Sequence, residues 1–392
     1  MEGHRGGGAA GLAAGGGKGL GEAEGGIVSH FEERLSRAQG LLVAEGVGLL
    51  VISPGANMRY LAGFTDEAGE RALLFFVPPE GEPAFLVPEL YAAQVEKRAA
   101  FPPTHVWRDS QGPRAALEDI LRAFPGGKVL VDDAMPAKDL LLLEELLPQA
   151  AFRPASPLMR RLRMRKSPEE LSAMRRAAAI ADRAFQAISA RPLSGLTELE
   201  VAKALEEEML KAGAEGAAFE ILVASGPNSA LPHHRAGRRR IEPGDVVILD
   251  FGCRVDGYCS DITRTLVLGE PPARVRELYE VILAAQRKAV EAVRPGLPAQ
   301  EVDRAARGVI AQAGYADHFT HRTGHGIGLD VHEEPYIVEG NTLPLEEGMT
   351  FSVEPGIYFP GEFGLRVEDI VVVTEEGAES LNNCPRTLRC VG

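Results

Sequence analysis

The stretch VVILDFGCRVDGYCSDITRTLVL, residues 246–268, decides how the second half of this chain folds. Apolar residues fill both arms, and the Asp-Gly dipeptide at 256–257 favours a two-residue hairpin turn. With this turn Asp250 pairs with Thr263 across the hairpin, and Asp261 lies two residues before Thr263 on the same strand. Because side chains alternate between the two faces of a strand, both aspartates point to one face. Burying two carboxylates is costly unless something positive lies opposite them.

A second acidic hairpin, MTFSVEPGIYFPGEFGLRVEDIVVV, spans residues 349–373 and carries Glu354 and Glu368 on its arms. These glutamates share a face only if the loop has an odd number of residues or a strand contains a bulge. The segment YFPGEFGL is able to form either, and Pro355 favours irregular pairing within the arm. The pattern is therefore compatible with convergence of the two acids.

Four carboxylates that face one cavity repel each other strongly, and two divalent cations would offset their charge. Hard oxygen ligands with one imidazole favour Mn²⁺ or Co²⁺, with Fe²⁺ or Zn²⁺ also compatible, over a thiolate zinc site. The candidate imidazole is His325 in HRTGHGIGLDVHEEP, whose flanking glycines let the backbone approach closely. We therefore predict two divalent metal ions per chain, with Mn²⁺ or Co²⁺ preferred.

Each of these five residues also has a purely structural interpretation. Asp250 could cap a turn, and Asp261 could be solvated at a strand end. Both glutamates could lie on the surface, and His325 could be a satisfied core histidine. The joint pattern, two matching acidic hairpins with a glycine-flanked histidine between them, favours the metal site.

The composition is typical of a soluble enzyme with two domains, since 45% of the 392 residues are apolar and 25% are charged. The net charge of −14 argues against binding to nucleic acids or to anionic membranes. No apolar run approaches the roughly 20 residues of a membrane span. Because no secretory signal is recognisable, we predict a cytoplasmic location.

The cysteines form two C-x5-C pairs, a spacing wider than that of typical zinc knuckles. We expect buried thiols rather than a disulfide framework or a four-thiolate zinc site. The residues are Cys253, Cys259, Cys384 and Cys390.

The amino-terminal residues divide into a tail and a first domain. Twelve glycines occupy the first 26 residues, so this segment cannot bury enough apolar surface to fold. We predict a Gly-rich disordered tail over 1–27, with a misassigned start and a true beginning at Val28 as the alternative. From Phe31 to Pro157 helical and strand patterns alternate, which predicts an α/β domain over 28–157.

The remaining residues, 158–392, form the second predicted domain, of the α+β class. Ser167, Pro168 and Glu170 make a capping box that predicts the start of a helix. Two helical segments then lead to each acidic hairpin. The pattern indicates a duplicated helix–hairpin unit rather than a solenoid of tandem repeats.

Five ordered motifs, LDFG, SDITRT, GHGIGLDVHE, VEPGIY and LRVEDI, resemble those of the pita-bread-fold metallopeptidases. Among these the chain is most similar to the proline-directed branch, Xaa-Pro aminopeptidase and Xaa-Pro dipeptidase (prolidase). The resemblance covers 28–392, is strongest over 225–385, and is weaker in NMRYLAGF and LRMRKSPEEL. It implies a pita-bread catalytic domain with pseudo-twofold symmetry, preceded by a smaller creatinase-like α/β domain.

The resemblance also implies which residues bind the two metals. Asp261 and Glu368 would bridge both ions, Asp250 would complete one site, and His325 with Glu354 would complete the other. These are the five residues that the charge argument selects. The complete set separates the chain from relatives that share the fold without these ligands.

Histidines near the reacting centre follow from the same resemblance. Of the two in ALPHHRAG, His233 directly follows the proline and fits the pattern, whereas we expect His234 to be a solvated loop residue. His233 and His332 would hydrogen-bond the oxyanion or the substrate backbone, and Glu354 would shuttle the proton. These three are the predicted catalytic residues.

Three further residues match positions around the substrate. His321 would contact the substrate, and Arg366 would pair with a ligand carboxylate beside it. Tyr60 would lie near the substrate amine, with packing in the first domain as the alternative.

The implied reaction is hydrolysis of an Xaa-Pro bond by a hydroxide that bridges the two metals. The bond would lie at the amino terminus of peptides, as for an aminopeptidase, or in dipeptides, as for a prolidase. The implied partners are short proline-containing peptides and a second copy of the chain in a homodimer.

Two alternatives belong to other functional classes. A methionine aminopeptidase has the same fold but normally lacks a leading domain such as 28–157. A catalytically silent binding module would not need the complete ligand set. Since the sequence contains neither a G-x-S-x-G nor an H-E-x-x-H motif, serine hydrolases and zincins are disfavoured.

Overall fold

A computed structural model describes residues 21–66, 69–124 and 126–392, with side chains from His30 onward in the first helix. The chain divides into two compact units between Arg153 and Pro154. Positions 1–20 of the predicted tail lie outside the described residues, and the first helix begins at Gly21. The domain limits expected from the sequence stay predictions.

The first unit alternates helices with strands. Its helices are α1 (Gly21–Glu45), α2 (Ala56–Ala62), α3 (Glu89–Arg98), α4 (Arg114–Leu121) and α5 (Ala137–Leu146). Its strands are β1 (Val47–Ile52), β2 (Leu74–Val77), β3 (Ala84–Pro88), β4 (His105–Trp107), β5 (Lys128–Val131) and β6 (Ala151–Pro154).

These six strands form one mixed sheet in the order β4-β3-β2-β1-β5-β6. β1 lies antiparallel to β2 and parallel to β5. Val51, Phe76 and Leu86 share a hydrophobic core with Leu117 of α4. The α/β character expected for this part of the chain is confirmed.

The second unit contains two helix pairs and several small sheets. Its helices are α6 (Ser156–Arg163), α7 (Pro168–Ser189), α8 (Glu198–Lys211), α9 (Ala273–Ala292) and α10 (Ala299–Gln312). The strands before α9 are β7 (Gly216–Ala217), β8 (Leu222–Ser225), β9 (Val246–Phe251), β10 (Cys253–Val255), β11 (Tyr258–Cys259) and β12 (Ile262–Leu268). Those after α10 are β13 (Gly324–Gly326), β14 (Glu333–Ile337), β15 (Thr350–Val353), β16 (Gly356–Phe359), β17 (Phe363–Arg366), β18 (Asp369–Val373), β19 (Ala378–Ser380) and β20 (Arg389–Val391).

Each helix pair packs on its own sheet, which gives the unit its internal repeat. Ile180 of α7 and Leu249 belong to one core, on the sheet β20-β12-β9-β8. Ile282 of α9 and Phe351 belong to the other, on the sheet β14-β13-β15-β18-β19. The duplicated α+β arrangement predicted from the sequence is therefore present.

The start of α7 shows the predicted capping box. The backbone N–H of Glu170 donates to Ser167 Oγ at 3.3 Å, and Ser167 N donates to Glu170 Oε2 at 2.7 Å. Pro168 occupies the first helical position, where the missing N–H costs no hydrogen bond.

The first acidic hairpin has the predicted register, with Asp250 opposite Thr263. At its turn Asp256 and Gly257 have φ values of 50° and 80°, as a type I′ turn requires. The hairpin bends at Gly252, where a Cβ would lie 1.8 Å from the carbonyl oxygen of Ser260. A glycine is therefore required at the bend.

The second acidic hairpin consists of two strand pairs, β15 with β18 and β16 with β17, and both have the same register. Val353 lies opposite Asp369, and Gly356 lies opposite Arg366. The loop between β16 and β17 has three residues, 360–362. Of the two possibilities that the sequence left open, an odd loop or a bulge, the structure has the odd loop, and this register places Glu354 across from Glu368.

The two hairpins meet at their acidic positions. Thr263 and Glu368 form an isolated antiparallel bridge, in which Glu368 N donates to Thr263 O at 3.1 Å. Thr265 Oγ1 donates to the carbonyl oxygen of Arg366 at 2.8 Å. Four acids from two distant segments therefore come to one place.

Three cysteines, Cys253, Cys259 and Cys384, are buried free thiols, as expected. For Cys390 that expectation is wrong, because this residue lies on β20, at the edge of its sheet, and is exposed. No helix in the described part of the chain combines the length and apolarity that crossing a membrane requires.

Candidate metal centre

Asp261, His325 and Glu368 form a compact group of ligand atoms. One such atom from each lies within 4.8 Å of the other two, and the three residues are 2–4% exposed. His325 Nε2 lies 3.8 Å from Asp261 Oδ2 and 3.4 Å from Glu354 Oε1. The structure thus brings the acids of both hairpins to the glycine-flanked histidine.

Three carboxylate oxygens of the two acidic hairpins are buried without a hydrogen-bond partner in the described structure: Asp250 Oδ1, Asp261 Oδ1 and Glu368 Oε1. A buried polar atom that lacks a partner is costly, and a charged one more so. The three acids line one cavity, so the donor set fits hard divalent cations.

The electrostatics of the acids also indicate that these carboxylates need a nearby cation. Burial, and then repulsion from Glu368 and Asp250, raises the pKa of Asp261 well above its usual range. Burial and repulsion from Glu354 and Asp250 do the same for the pKa of Glu368. Burial raises the pKa of Glu354 to about 7. Nearby cations would remove this penalty on the ionised acids.

Neighbouring donors hold one oxygen of each of three acids and leave the other for a metal. Thr263 Oγ1 donates to Glu368 Oε2 at 2.6 Å. Ser352 Oγ donates to Glu354 Oε1 at 3.0 Å, and Arg366 Nη2 donates to Asp250 Oδ2 at 2.5 Å. Such outer contacts orient ligands toward a metal.

The tautomer of His325 follows from its backbone contact. Nδ1 lies 3.1 Å from the carbonyl oxygen of Gly326 and donates its proton there, so that the lone pair on Nε2 faces the acids. Burial lowers the pKa of His325 to about 3, which keeps the ring neutral. A Cβ at Gly324 would lie 1.8 Å from Ser352 O, so close backbone packing requires the glycine.

A cavity of about 680 Å³ opens over these groups and is lined by His233, His321 and His332 as well. The rings of His332 and His325 are perpendicular, with centroids 4.1 Å apart. Burial lowers the pKa of His321 to about 4. Burial, and then the charge of Arg322, lowers the pKa of His332. All three predicted histidines are therefore placed at the cavity, and their roles stay predictions.

Tyr358 was missed by the sequence argument. Its hydroxyl lies 2.9 Å from His321 Nε2 and accepts a hydrogen bond from Arg366 Nη1 at 2.8 Å. It lies four residues after Glu354, and the alternation of strand side chains could have indicated a shared face. Arg366 is itself 3% exposed and pairs with Asp250, while its contact with substrate stays a prediction.

For His234 the expectation of a solvated loop residue is wrong. Its Nε2 lies 2.8 Å from Oε2 of Glu198, a carboxylate that is fully buried in α8. Glu198 Oε1 also accepts hydrogen bonds from Ser225 N at 2.8 Å and from Asn228 Nδ2 at 2.9 Å. Burial would raise the pKa of Glu198, but these hydrogen bonds outweigh it and lower the pKa.

Tyr60 lies in the first unit and is 1% exposed. The guanidinium carbon of Arg34 lies 4.1 Å from the centre of its ring, and Arg34 Nη1 donates to its carbonyl oxygen at 3.0 Å. This is the packing role that the sequence left open, and the contact with a substrate amine stays a prediction.

Known proteins are similar to this chain over nearly its whole length. A probable dipeptidase PepE of Mycobacterium tuberculosis (strain ATCC 25618 / H37Rv) is 43% identical over 362 residues, 91% of this chain and 96% of its own length. An Xaa-Pro dipeptidase of Pyrococcus horikoshii is 36% identical over 363 residues, 91% of this chain and 99% of that protein. A crystal structure of a recombinant prolidase from Thermococcus sibiricus superposes with a TM-score of 0.88 at 40% identity, over 92% of this chain and 99% of that one.

Two family models account for both units. Residues 34–165 match the creatinase/prolidase amino-terminal domain, and 172–375 match metallopeptidase family M24. The two-domain α+β fold expected from the sequence is confirmed by these matches and by the superposed prolidase. With its acidic cluster, its buried histidine and the matches over both units, the chain belongs to metallopeptidase family M24.

Proposed function

We propose that the protein hydrolyses the bond before proline in short Xaa-Pro peptides at a centre of two divalent metal ions. The observation that carries this proposal is the group of partnerless buried carboxylate oxygens around His325. The relatives named Xaa-Pro dipeptidase and prolidase, which align over almost their full lengths, support the substrate class.

Five residues would hold the two ions, in the arrangement predicted from the sequence. They are Asp250, Asp261, His325, Glu354 and Glu368. When bound, such a pair supplies a water of lowered pKa and polarises the scissile carbonyl. We propose Mn²⁺ or Co²⁺, because oxygen ligands outnumber the single imidazole.

The side chains around the cavity would then position the substrate and move protons. Glu354 takes a proton from the attacking water on a carboxylate oxygen and returns it to the leaving proline nitrogen. His332, which is neutral near pH 7 because its pKa is lowered, donates a hydrogen bond to the oxygen of the scissile carbonyl. His233 lines the same cavity and would hold the substrate backbone.

Proline makes particular demands on such a site. Its nitrogen carries no N–H in the peptide, and its ring fixes φ, so the site recognises shape rather than a donor. The leaving nitrogen must still gain a proton, which Glu354 would provide. Selection for proline therefore comes from the walls of the cavity.

The test is a substrate comparison on protein stripped of metal and reloaded with one ion at a time. We expect Mn²⁺ or Co²⁺ to restore release of free proline from Ala-Pro, with far slower cleavage of Ala-Ala and Met-Ala-Ser. Equal turnover of Ala-Ala, or full turnover in the presence of a chelator, would contradict the proposal. Faster cleavage of Met-Ala-Ser would instead indicate a methionine aminopeptidase.

The homodimer and the cytoplasmic location stay proposals from the sequence. Sedimentation of the purified protein should give about twice the chain mass of 42.0 kDa if the dimer forms.

A further inference from the structure

Asp303 is a buried acid of the second unit that belongs neither to the proposed metal ligands nor to the lining of their cavity. It stands on α10 and is 0% exposed. A buried carboxylate is costly unless charge and hydrogen bonds compensate it. The groups that compensate Asp303 therefore show what this residue holds in place.

The carboxylate of Asp303 binds one residue of its own helix and one in the segment before β13. Arg307, one turn later on α10, donates from Nη2 to Oδ1 and from Nε to Oδ2, both at 2.9 Å. Thr323 donates to Oδ1 from its backbone N–H at 3.0 Å and from its hydroxyl at 2.7 Å. The two parallel bonds to Arg307 fix the plane of the guanidinium. Asp303 thus orients Arg307 and ties Thr323 to the helix.

Arg307 reaches the same segment at two further points. Its Nη1 donates to the carbonyl oxygen of Phe319 at 3.0 Å, and its Nη2 donates to that of His321 at 2.9 Å. The guanidinium carbon also lies 4.3 Å from the centre of the Phe319 ring. Together with the bonds from Thr323 to Asp303, these contacts fix the backbone of residues 319–323 against α10.

The segment 319–323 carries groups of the candidate metal centre. His321 lines the cavity, and its Nε2 lies 2.9 Å from the hydroxyl of Tyr358. The carbonyl oxygen of Thr323 accepts a hydrogen bond at 2.8 Å from the backbone N–H of Glu354, a proposed metal ligand. A shift of Thr323 would therefore move Glu354, and a shift of His321 would break its contact with Tyr358.

We propose that Asp303 and Arg307 are positioning residues for catalysis, which hold the backbone of 319–323 so that His321 and Glu354 keep their places at the cavity. The inference rests on the proposed Xaa-Pro peptidase function, in which Glu354 moves the proton. A displacement of about 1 Å at a reacting group can lower a rate on the order of 100-fold. A pair of residues outside the cavity can therefore control turnover.

The first experiment compares Arg307→Ala with Arg304→Ala in protein loaded with Mn²⁺. For Arg307→Ala we expect kcat on Ala-Pro to fall about 10- to 100-fold, because the segment 319–323 is no longer held. KM should change by less than about threefold, since the lost side chain lies outside the cavity, and the metal content should equal that of the wild type. Arg304, the matched control, is exposed on the same helix and pairs with Glu301 and Glu339, so its variant should keep the wild-type kcat.

Rescue by free guanidinium ion distinguishes positioning from a loss of stability. The side chain of Arg307 is 34% exposed, so Arg307→Ala opens its place to solvent. Guanidinium chloride at about 10–50 mM, far below the concentrations that unfold proteins, should raise kcat of this variant about tenfold, since the ion can bind Asp303 and the freed carbonyl oxygens. Ammonium chloride should not, because ammonium lacks the planar fork of donors. Neither salt should raise kcat of Arg304→Ala.

Asp303→Asn tests the other member of the pair. Its carboxamide presents an N–H₂ group where a carboxylate oxygen accepted, so a donor of Arg307 or Thr323 loses its partner. We expect kcat to fall about tenfold or more, with KM little changed. The double variant Asp303→Asn/Arg307→Ala should resemble the slower single variant, because the effects of residues in one hydrogen-bond network do not add.

The outcomes separate a positioning role from a purely structural one. Lower thermal stability with unchanged kcat would show that the pair serves the fold alone. A loss of metal that parallels the loss of activity would show that the pair maintains the ligands instead, and a fall in kcat that guanidinium leaves unchanged would also overturn the positioning role. If the wild type cleaves no Xaa-Pro peptide, the proposed function itself fails, whereas an active wild type with an unaffected Arg307→Ala variant would contradict this inference alone.

Discussion

At the scale of single residues, the chemistry of this protein lies in acids that the fold buries together. Asp261 is 4% exposed, and one of its oxygens accepts no hydrogen bond within the described structure. Its charge is tolerated only if cations lie beside it. Asp261 is therefore the residue whose removal best tests the metal centre.

We expect Asp261→Asn to lose bound metal and Xaa-Pro peptidase activity while the fold stays intact. The metal-free variant should melt no lower than the metal-free wild type, because one buried and repelled charge has been removed. Elemental analysis, activity and circular dichroism check these points. Asp256→Asn, at the exposed turn of the same hairpin, is the control and should retain metal. A variant with full metal content would contradict the assignment of Asp261 as a ligand.

A second residue, Glu198, lies outside the set of proposed metal ligands and does not line their cavity. Its carboxylate ties α8 to the loop that carries His233, through His234 Nε2 at 2.8 Å and Gly237 N at 3.1 Å. A carboxamide cannot accept from every donor around it, so at least one of them loses its partner. Glu198 is thus a positioning residue for the loop.

For Glu198→Gln we expect kcat/KM on Ala-Pro to fall about 10- to 100-fold, because His233 is displaced. The loss should appear in kcat more than in KM, and metal content should not change. Glu200→Gln, on the exposed side of the same helix, should be close to wild type. Lower thermal stability with unchanged kcat/KM would show that Glu198 serves the fold alone.

At the scale of elements, a buried ion-pair network joins the end of α6 and the segment before α7 to the first residue of β14. Glu333 Oε1 lies 2.7 Å from Lys166 Nζ, and Glu333 Oε2 binds Arg163. Burial would raise the pKa of Glu333, but the two cations outweigh it and lower the pKa. His332 directly precedes Glu333, so the network fixes the backbone next to this histidine.

Because the folded pKa of Glu333 lies below its unfolded value, its stabilisation is complete above the unfolded pKa of about 4.3. It is lost as the pH falls through the folded pKa. We expect Glu333→Gln to lower the free energy of unfolding by about 3–5 kcal/mol at pH 7, since buried Lys166 loses its carboxylate and Arg163 keeps only Asp330. Urea unfolding at pH 7, 5 and 3.5 should show this difference shrinking only below about pH 4.3.

The control for this prediction is Glu346→Gln, which removes an exposed partner of Arg165. Surface pairs contribute about 0–1 kcal/mol, so that variant should unfold like the wild type. If the free energy of unfolding that Glu333→Gln loses did not change with pH, packing rather than charge would account for the effect of this substitution.

At the scale of the whole molecule, the two units have separate cores, and all five proposed metal ligands lie in the second. The single tryptophan, Trp107, lies in the first unit, where it is 7% exposed and donates to Ala72 O at 2.9 Å. Its fluorescence therefore reports unfolding of the first unit alone.

We expect Mn²⁺ to raise the calorimetric melting temperature of the second unit and to leave the transition seen by tryptophan fluorescence unchanged. At free metal about 100 times its Kd, the native second unit gains about 2.7 kcal/mol. The Asp261→Asn variant should show no such shift. If Mn²⁺ raised the calorimetric and the fluorescence transition temperatures equally, the two units would unfold as one.

The sequence by itself determined the parts of this protein that depend on local periodicity and turn chemistry. Asp256-Gly257 sets the register that places Asp250 opposite Thr263, and the period of two along a strand puts Asp250 and Asp261 on one face. For the second hairpin the sequence left an odd loop and a bulge both open, and the structure decided for the odd loop. The ordered motifs likewise sufficed to predict the family, the α+β fold and the candidate ligands.

Only the tertiary structure decided how distant segments meet. The bridge between Thr263 and Glu368 joins the hairpins, and the pairing of His234 with Glu198 contradicts the expected solvation. These contacts arise between segments far apart in the chain, whose approach is set by packing of the cores. Periodicity within one segment does not indicate which residue of a distant segment will contact it.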